Sequence, residues 1–446
     1  MPSHIYFSGI GGTGLSALAH LALDCGYLVS GSDNQQSQNI IDLLDRGCNI
    51  TIGQSYSEIS ALHSSNKIDE IVITSALPID HPHLIFAVEN NLKVSKRHEL
   101  INRILVEKNL RLIAIAGTHG KTTTTGLAVW VFKQLQIPIS YLIGTNISYG
   151  RSGEFALGSQ YFVYECDEFD RNFLNFTPHI SLIPSLDYDH PDTYPTEKDY
   201  VESFVQFFDQ CENVLAWQDV ETNINNVLNL SNMSLKNMLA DGEIYFLDET
   251  AENNQQYFQD NDWVKLPGIH LRKNATLIIV MLAMFFKEVD QNKVFKALAD
   301  FPGTERRFEK IATNLYSDYA HHPTEIRATI QLAKELLTLN QKLVIVYQPH
   351  QNIRQHQKDI QTGYQTCFED ADEVLWLPTY LSREYSKLPT LTPKEILTLS
   401  GLDSDSKFVI SDFDEPTKEL IKQHLAKENL VLCMGAGSID GWVRGI

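Results

Sequence analysis

The stretch "IAIAGTHGKTTTTGLAVW", Ile113–Trp130, decides how the rest of the chain is read. An apolar β-rich run delivers Gly117, Gly120, Lys121, Thr122 and Thr123 to the start of a helical pattern. Glycines let backbone N–H groups converge on phosphate oxygens, a helix N-terminus adds positive potential, a lysine reaches the outer phosphates and a threonine hydroxyl can bind a magnesium ion. The spacing is G-x-x-G-K-T-T, and Ile115 stands where the longer form of this loop has its first glycine. The strand before and the helix after are the context that the motif requires, so a nucleotide triphosphate is the expected ligand.

Working toward the N-terminus, a second glycine cluster appears in "FSGIGGTGLSALAHL" (Phe7–Leu21). Gly9, Gly11, Gly12 and Gly14 again follow a short strand and precede a helix, and Gly31, Ser32 and Asp33 close the next strand where an acidic residue would meet a ribose. Such a turn also occurs simply to pack a helix on a sheet. Together the two turns suggest one nucleotide as an energy source and another as a handle on the substrate.

Around these turns, short β-rich runs alternate with helical periods along the whole chain, the mark of doubly wound α/β units with parallel sheets. Three such units are expected, over residues 1–107, 108–302 and 303–446, with boundaries near the polar "VEKNLRLIA" and at Pro302–Gly303. The polar stretch "DGEIYFLDETAENNQQYFQDNDW" reads as surface hairpins. "HISLIPSLDYDH" and "ATNLYSDYA" each read as a strand. A length of 446 residues agrees with several domains.

Composition narrows the function classes. Hydrophobic residues are 43% and charged residues 21% of the chain, which is ordinary globular usage. A net charge of −20 argues against wrapping nucleic acid or adhering to an anionic membrane. Six scattered cysteines without a C-x-x-C pair point to a reducing compartment. The N-terminus has no basic region of a secretory signal, and the longest apolar run, Ala275–Phe286, falls short of the roughly 18–20 residues of a membrane span. A cytoplasmic protein, monomer or homodimer, is expected, with neither nucleic acid nor membrane as partner.

Acidic residues cluster after the phosphate loop, in "ECDEFDRNFL" (Glu165, Asp167, Glu168, Asp170) and "SLDYDHPDTY" (Asp187, Asp189, His190, Asp192). At strand ends they suit magnesium, which takes carboxylates together with nucleotide oxygens; a solvated acidic loop is the plainer alternative. Further on, "SDYAHHPTEI" places Asp318, His321, His322 and Glu325 before a helix, with Pro323 at an early helical position. No third or fourth ligand stands at a zinc spacing. "YQPHQNIRQ" then ends a strand with His350 and Arg354, where open α/β sheets bind ligands.

The motifs "GIGGTG", "AGTHGKTTTT", "ECDEFD", "DYDH", "GTERRF", "DYAHHPTEI" and "QPH", in this order, resemble the Mur ligases of peptidoglycan synthesis over essentially the whole chain. The resemblance implies a Rossmann-like N-terminal domain for a UDP-sugar, a central P-loop ATPase domain and a Rossmann-like C-terminal domain that brings the amino acid. By similarity, Gly11, Gly12, Gly14, Ser32, Asp33, Ser75, Arg97 and His98 take the UDP-sugar. Gly117, Thr118, His119, Gly120, Lys121, Thr122 and Thr123 hold ATP phosphates, and His270 and Asn274 contact adenine. Thr122, Glu165 and His190 match magnesium ligands. Arg307 and Asp318 bring the C-terminal domain onto the nucleotide, and His321, His350 and Arg354 take the amino acid.

The activity implied is ATP-dependent joining of L-alanine to the carboxylate of UDP-N-acetylmuramate through an acyl phosphate. A ligase for a preformed tripeptide, or a nucleotide-binding homologue without turnover, are the alternatives. The sequence departs from the family pattern at Gln351 and Asn352, where an arginine and an aromatic are usual. It also departs at Ser185 and Asp187, which stand for Asn and Glu, and after His270, where an Asn is missing.

Overall fold

A computed structural model of the chain describes residues 2–74, 77–229, 243–249, 266–286, 288–382, 384 and 388–446. Three sheets follow one another along the sequence, each in its own α/β domain. The first has the order β3-β2-β1-β4-β5, built from β1 (His4–Ser8), β2 (Leu28–Asp33), β3 (Asn49–Ile52), β4 (Glu70–Ile73) and β5 (Lys93–Lys96), all parallel. Every residue of β1 is buried, as expected of a central parallel strand covered on both faces. Order reverses between β1 and β4, so the Gly9–Gly14 turn lies at the switch point of this sheet.

The second sheet runs β12-β11-β10-β6-β9-β7-β8. Its strands are β6 (Arg111–Ile115), β7 (Ser140–Leu142), β8 (Gly153–Glu154), β9 (Tyr161–Glu165), β10 (Ile180–Ile183), β11 (Asn213–Trp217) and β12 (Glu243–Leu247). All pair in parallel except β8, which turns back on β7. Strand β6 lies between β9 and β10, so the phosphate loop that follows it is flanked by the ends of those two strands.

Here the structure corrects two readings. β10 stops at Ile183, because Pro184 has no N–H for the ladder, and "SLDYDH" is irregular loop. Within the supposed hairpin region, Glu243–Leu247 is instead a parallel edge strand on β11, with Ile244 and Leu247 buried; residues 250–263 lie outside the described residues. Four apolar residues between polar flanks were enough to join the sheet.

The third sheet runs β13-β14-β18-β15-β16-β17. It comprises β13 (Glu309–Ala312), β14 (Leu315–Asp318), β15 (Leu343–Tyr347), β16 (Glu373–Trp376), β17 (Phe408–Ile410) and β18 (Leu430–Met434). "ATNLYSDYA" is therefore not one strand: the antiparallel pair β13–β14 reverses at Asn314, whose φ of 60° is a conformation asparagine tolerates. The remaining pairings are parallel.

The chain forms two compact units. One holds the first two sheets and continues through Asn274–Pro302; the other holds Gly303–Ile446 and a short stretch ending at Lys273. Within the first unit the helix Thr13–Asp24 is buried without interruption from Leu15 to Ala22, and one apolar cluster joins its Leu18, Leu21 and Ala22 to Phe7 of β1 and to Leu142, Phe162 and Tyr164 of the second sheet. A helix apolar on every side is one with protein on every side. The Ala-rich sequence "LSALAHLALD" keeps it slim enough for that place. Among the described residues no helix is long and apolar enough to cross a membrane, and all six cysteines are free thiols.

Close approach of backbones fixes several glycines, among them Gly31 in β2, where a Cβ would lie 2.5 Å from the Phe7 carbonyl oxygen and 2.9 Å from Ile10. Gly31→Ala is expected to lower stability by about 1–3 kcal/mol, as overpacking in a sheet core does. Urea denaturation monitored by tryptophan fluorescence checks this.

Candidate functional site

The phosphate loop is a turn of two left-handed glycines. Gly117 has φ 130° and Gly120 φ 83°, conformations that L side chains rarely adopt. A Cβ on Gly117 would meet the Ser185 carbonyl oxygen at 2.7 Å, and one on Gly120 would meet Asn274 at 3.1 Å and Pro184 at 3.2 Å. The helix Lys121–Gln134 begins directly after Gly120, and no side chain caps its N-terminus. Two further contacts seat the loop. Thr118 Oγ1 lies 2.7 Å from the Tyr200 hydroxyl, and the His119 amide donates to Ser185 Oγ at 2.8 Å.

Lys121 folds back over this turn. Its ammonium donates to the carbonyls of Gly117 at 2.6 Å and Thr118 at 3.0 Å and to Glu168 Oε1 at 2.9 Å, and Glu168 Oε2 completes the ion pair at 2.8 Å. Glu168 is 0% exposed, and its Oε1 also meets His190 Nε2 at 3.3 Å. Burial alone would pull the lysine down, but Glu168, Asp167 and Glu165 together hold it above the usual lysine range. Burial likewise pushes Glu168 up, and Lys121 and His190 overcome this to hold it below the usual carboxylate range.

Glu168 reaches the site because the chain reverses sharply after it. Asp170 and Arg171 both adopt left-handed φ values, 53° and 54°. That costly backbone is held where the Arg171 guanidinium stacks 5.2 Å from the Tyr194 ring and the Tyr194 hydroxyl donates to the Glu168 carbonyl at 2.6 Å.

Thr122 and Glu165 form a second pair, with Thr122 Oγ1 donating to Glu165 Oε1 at 2.7 Å while Glu165 Oε2 accepts the Gly144 amide at 2.9 Å. The structure thus brings Thr122 to Glu165 but groups His190 with Asp167 and Glu168, whose ligand atoms lie within 4.8 Å of one another. A hydroxyl, three carboxylates and an imidazole are donors suited to a hard divalent cation. Asn274 lies against the loop, whereas His270, one helical turn earlier on Ile269–Phe285, belongs to the other compact unit.

At the first glycine turn, Asp33 Oδ2 accepts the Gly11 amide at 2.9 Å, and the Ser32 carbonyl accepts the amides of Gly9 and Ile10. Arg97 reaches the same turn, its Nη1 3.1 Å from where a Gly14 Cβ would stand. Its neighbour His98 is kept below the usual histidine range mainly by burial. Gly12 is the N-cap of Thr13–Asp24. Ser75 lies outside the described residues.

In the other unit, Asp318 ends β14 and accepts the Phe308 and Ala320 amides, both at 2.7 Å; burial raises its carboxyl although Arg307 opposes this. The His321 and His350 rings meet edge to face at 5.3 Å, and His350 stacks on Tyr380 at 5.8 Å. Arg354 is 4% exposed, its Nε donating to Gln351 Oε1 at 2.9 Å. Gln351 is held at φ 58°, its amide donating to the Tyr380 carbonyl at 2.9 Å.

Three family models match the chain in succession: the catalytic domain of the Mur ligase family over residues 4–109, the Mur ligase middle domain over 115–281 and the Mur ligase glutamate ligase domain over 306–437. The chain is 30% identical to the UDP-N-acetylmuramate–L-alanine ligase of Clostridium perfringens, across 98% of its own length and 95% of the relative. It is 31% identical to the ligase of the same name from Cytophaga hutchinsonii, over 99% and 96%. The chain belongs to the Mur ligase family. Solved structures share the fold: a UDP-N-acetylmuramate-alanine ligase of Thermotoga maritima has a TM-score of 0.72 at 24% identity, covering 99% of this chain and 97% of its own. A murein peptide ligase of Psychrobacter arcticus has a TM-score of 0.63 at 20% identity, covering 99% and 97%.

For this Mur ligase, motif reading names Glu168 only as one of an acidic cluster suited to magnesium, not as the partner of Lys121. Only the reversal at Asp170–Arg171 turns Glu168 onto Lys121. Tyr200 and Gly144 carry no motif at all.

The ion pair predicts a stability signature. Lys121→Met leaves a buried carboxylate without its principal counter-charge and is expected to cost about 3–5 kcal/mol in magnesium-free buffer. Adding Glu168→Gln should recover much of that loss, an outcome read by urea unfolding of the single and double variants.

Proposed function

We propose that this Mur ligase joins L-alanine to the carboxylate of UDP-N-acetylmuramate at the expense of ATP, releasing ADP and phosphate. The observation that carries the reading is the Lys121 turn. A left-handed glycine loop, an N-terminus without a side-chain cap and a largely buried lysine stand beside two carboxylates, Glu165 at the end of β9 and Glu168 just beyond it. Support for the substrates comes from relatives that carry the alanine ligase name at 30–31% identity over nearly the whole chain.

A carboxylate is a poor electrophile, so it must be activated before an amine attacks. In this reading Gly117–Thr123 cradle the triphosphate, and Lys121 leaves its loop carbonyls to neutralise charge on the group being transferred. The sugar-borne carboxylate takes that group and becomes an acyl phosphate. The amine of alanine, deprotonated, attacks the acyl carbon and phosphate departs. Thr122 and Glu165, with His190 beside Glu168, would hold magnesium, which supplies charge neutralisation when bound.

Asp33 and the amides of the Gly9–Gly14 turn take the sugar nucleotide, with Arg97 and His98 beside them. Asn274 and His270 face adenine, and Arg307 and Asp318 act on the nucleotide side of the C-terminal domain. His321, His350 and Arg354 hold the amino acid, whose carboxylate pairs with the guanidinium. ATP and nucleotide sugars are cytoplasmic, which is where the reading places the enzyme.

The test is phosphate release in a coupled assay with the full chain. Release should require UDP-N-acetylmuramate, ATP, magnesium and L-alanine together, and Lys121→Ala should lower it by about a hundredfold or more, as loss of a transition-state contact does. Release with a preformed tripeptide but not with alanine would reassign the enzyme to peptide recycling. No release with any amino acid or peptide would overturn catalysis altogether.

A further inference from the structure

Both ends of the helix Thr13–Asp24 are fastened to the second sheet. At its N-terminal end, Arg97 packs on Gly14 and lies 5.5 Å over the ring of Tyr164, the residue before Glu165. In the middle, Gly153 of β8 comes so near that a Cβ there would stand 2.0 Å from the Ala17 carbonyl oxygen. At the C-terminal end, Asp24 is a hub. Its Oδ1 takes Arg46 of its own domain at 2.6 Å, and its Oδ2 takes the Arg151 guanidinium at 2.9 Å and the Phe155 amide at 3.1 Å, both from the central domain.

The segment that Asp24 grips is the β7–β8 hairpin loop, tied across its base by the Ile143 amide donating to the Ser152 carbonyl at 2.8 Å. The same loop carries Gly144, whose amide holds Glu165 Oε2. A continuous chain of contacts therefore runs from Asp24 through Arg151 and the loop to Glu165 and Thr122 beside the phosphate turn.

We propose that Asp24 is a positioning residue for the ligase reaction: by clamping the β7–β8 loop to the far end of Thr13–Asp24, it sets the spacing between the glycine turn for the sugar nucleotide and the Glu165 side of the phosphate site. This rests on the proposed function. Two substrates bound on different domains react only if their separation is held, and a displacement of about 1 Å can cost a hundredfold in rate. The carboxylate serves this role because a charge-assisted contact that engages both of its oxygens is directional.

The experiment compares wild-type, Asp24→Ala and Arg151→Met proteins. Affinities for an ATP analogue and for UDP-N-acetylmuramate, each titrated alone, are expected within about twofold of wild type, while kcat falls by about tenfold or more. Amide hydrogen exchange at Gly144, read by NMR or mass spectrometry on the unliganded protein, is expected to accelerate by about tenfold in both variants.

Unchanged kcat in an active enzyme would overturn the proposal. So would a kcat loss matched by weakened binding of either nucleotide alone, which a merely structural role produces. Should Asp24→Ala fail to fold, Arg151→Met decides, since that side chain is 43% exposed and its removal leaves Asp24 with Arg46. A wild-type protein without ligase activity would sink the functional reading instead. Unaltered Gly144 exchange would then overturn the clamp on its own.

Discussion

The Lys121 ammonium sits where three requirements meet. Left-handed glycines turn the Gly117 and Thr118 carbonyls toward one point, a fully buried Glu168 needs a counter-charge, and the proposed phosphate site needs a cation. One side chain meets all three. In water such an ion pair would contribute little; here, with Glu168 sealed from solvent, either partner alone would be costly, so the loop is shaped around the pair. The same contacts mean that Lys121 is already desolvated and oriented. Exchanging the carbonyls for phosphate oxygens asks for a short movement of one flexible stem, not for assembly of a site.

Around that point the fold supplies fixed supports of different kinds. Ser185 and Pro184, just past the end of β10, back the glycines; the buried Tyr200 anchors Thr118 from the helix Glu197–Asp209; Gly144 holds Glu165 from a hairpin loop. Each support comes from a different element, and all belong to one compact unit. The Gly9–Gly14 turn, proposed to take the sugar nucleotide, is in that unit too, so its relation to the Gly117–Thr123 loop is a property of packing. His321, His350 and Arg354, proposed to hold the amino acid, belong to the other unit.

How much of this was legible in the sequence follows from the range of the forces involved. The phosphate loop, the first glycine turn and the alternation that gives three sheets are local patterns, and each stands where the sequence placed it. Strand ends were less legible. Pro184 cut β10 short, Asn314 split one apparent strand into a hairpin, and Glu243–Leu247 joined the central sheet although its polar flanks suggested a surface turn. The grouping of His190 with Glu168, while Glu165 goes to Thr122, could not be read, because it depends on the left-handed reversal at Asp170 and Arg171, two residues with no glycine to announce it. Asp24 was invisible for the same reason: its partners Arg151 and Phe155 lie more than a hundred residues away.

The helix Thr13–Asp24 has a consequence for how such a chain can be divided or recombined. Three sheets suggest three modules, yet a segment cut after its first sheet would carry a helix whose Leu18, Leu21 and Ala22 had lost the part of their apolar cluster that Leu142, Phe162 and Tyr164 supply. Exposed apolar area of that kind favours aggregation over independent folding. Shuffling between homologues is therefore constrained at this seam: a foreign first domain would have to match the host's hairpin glycine and arginine as well as its apolar surface. By inheritance the first two domains form a single transferable block.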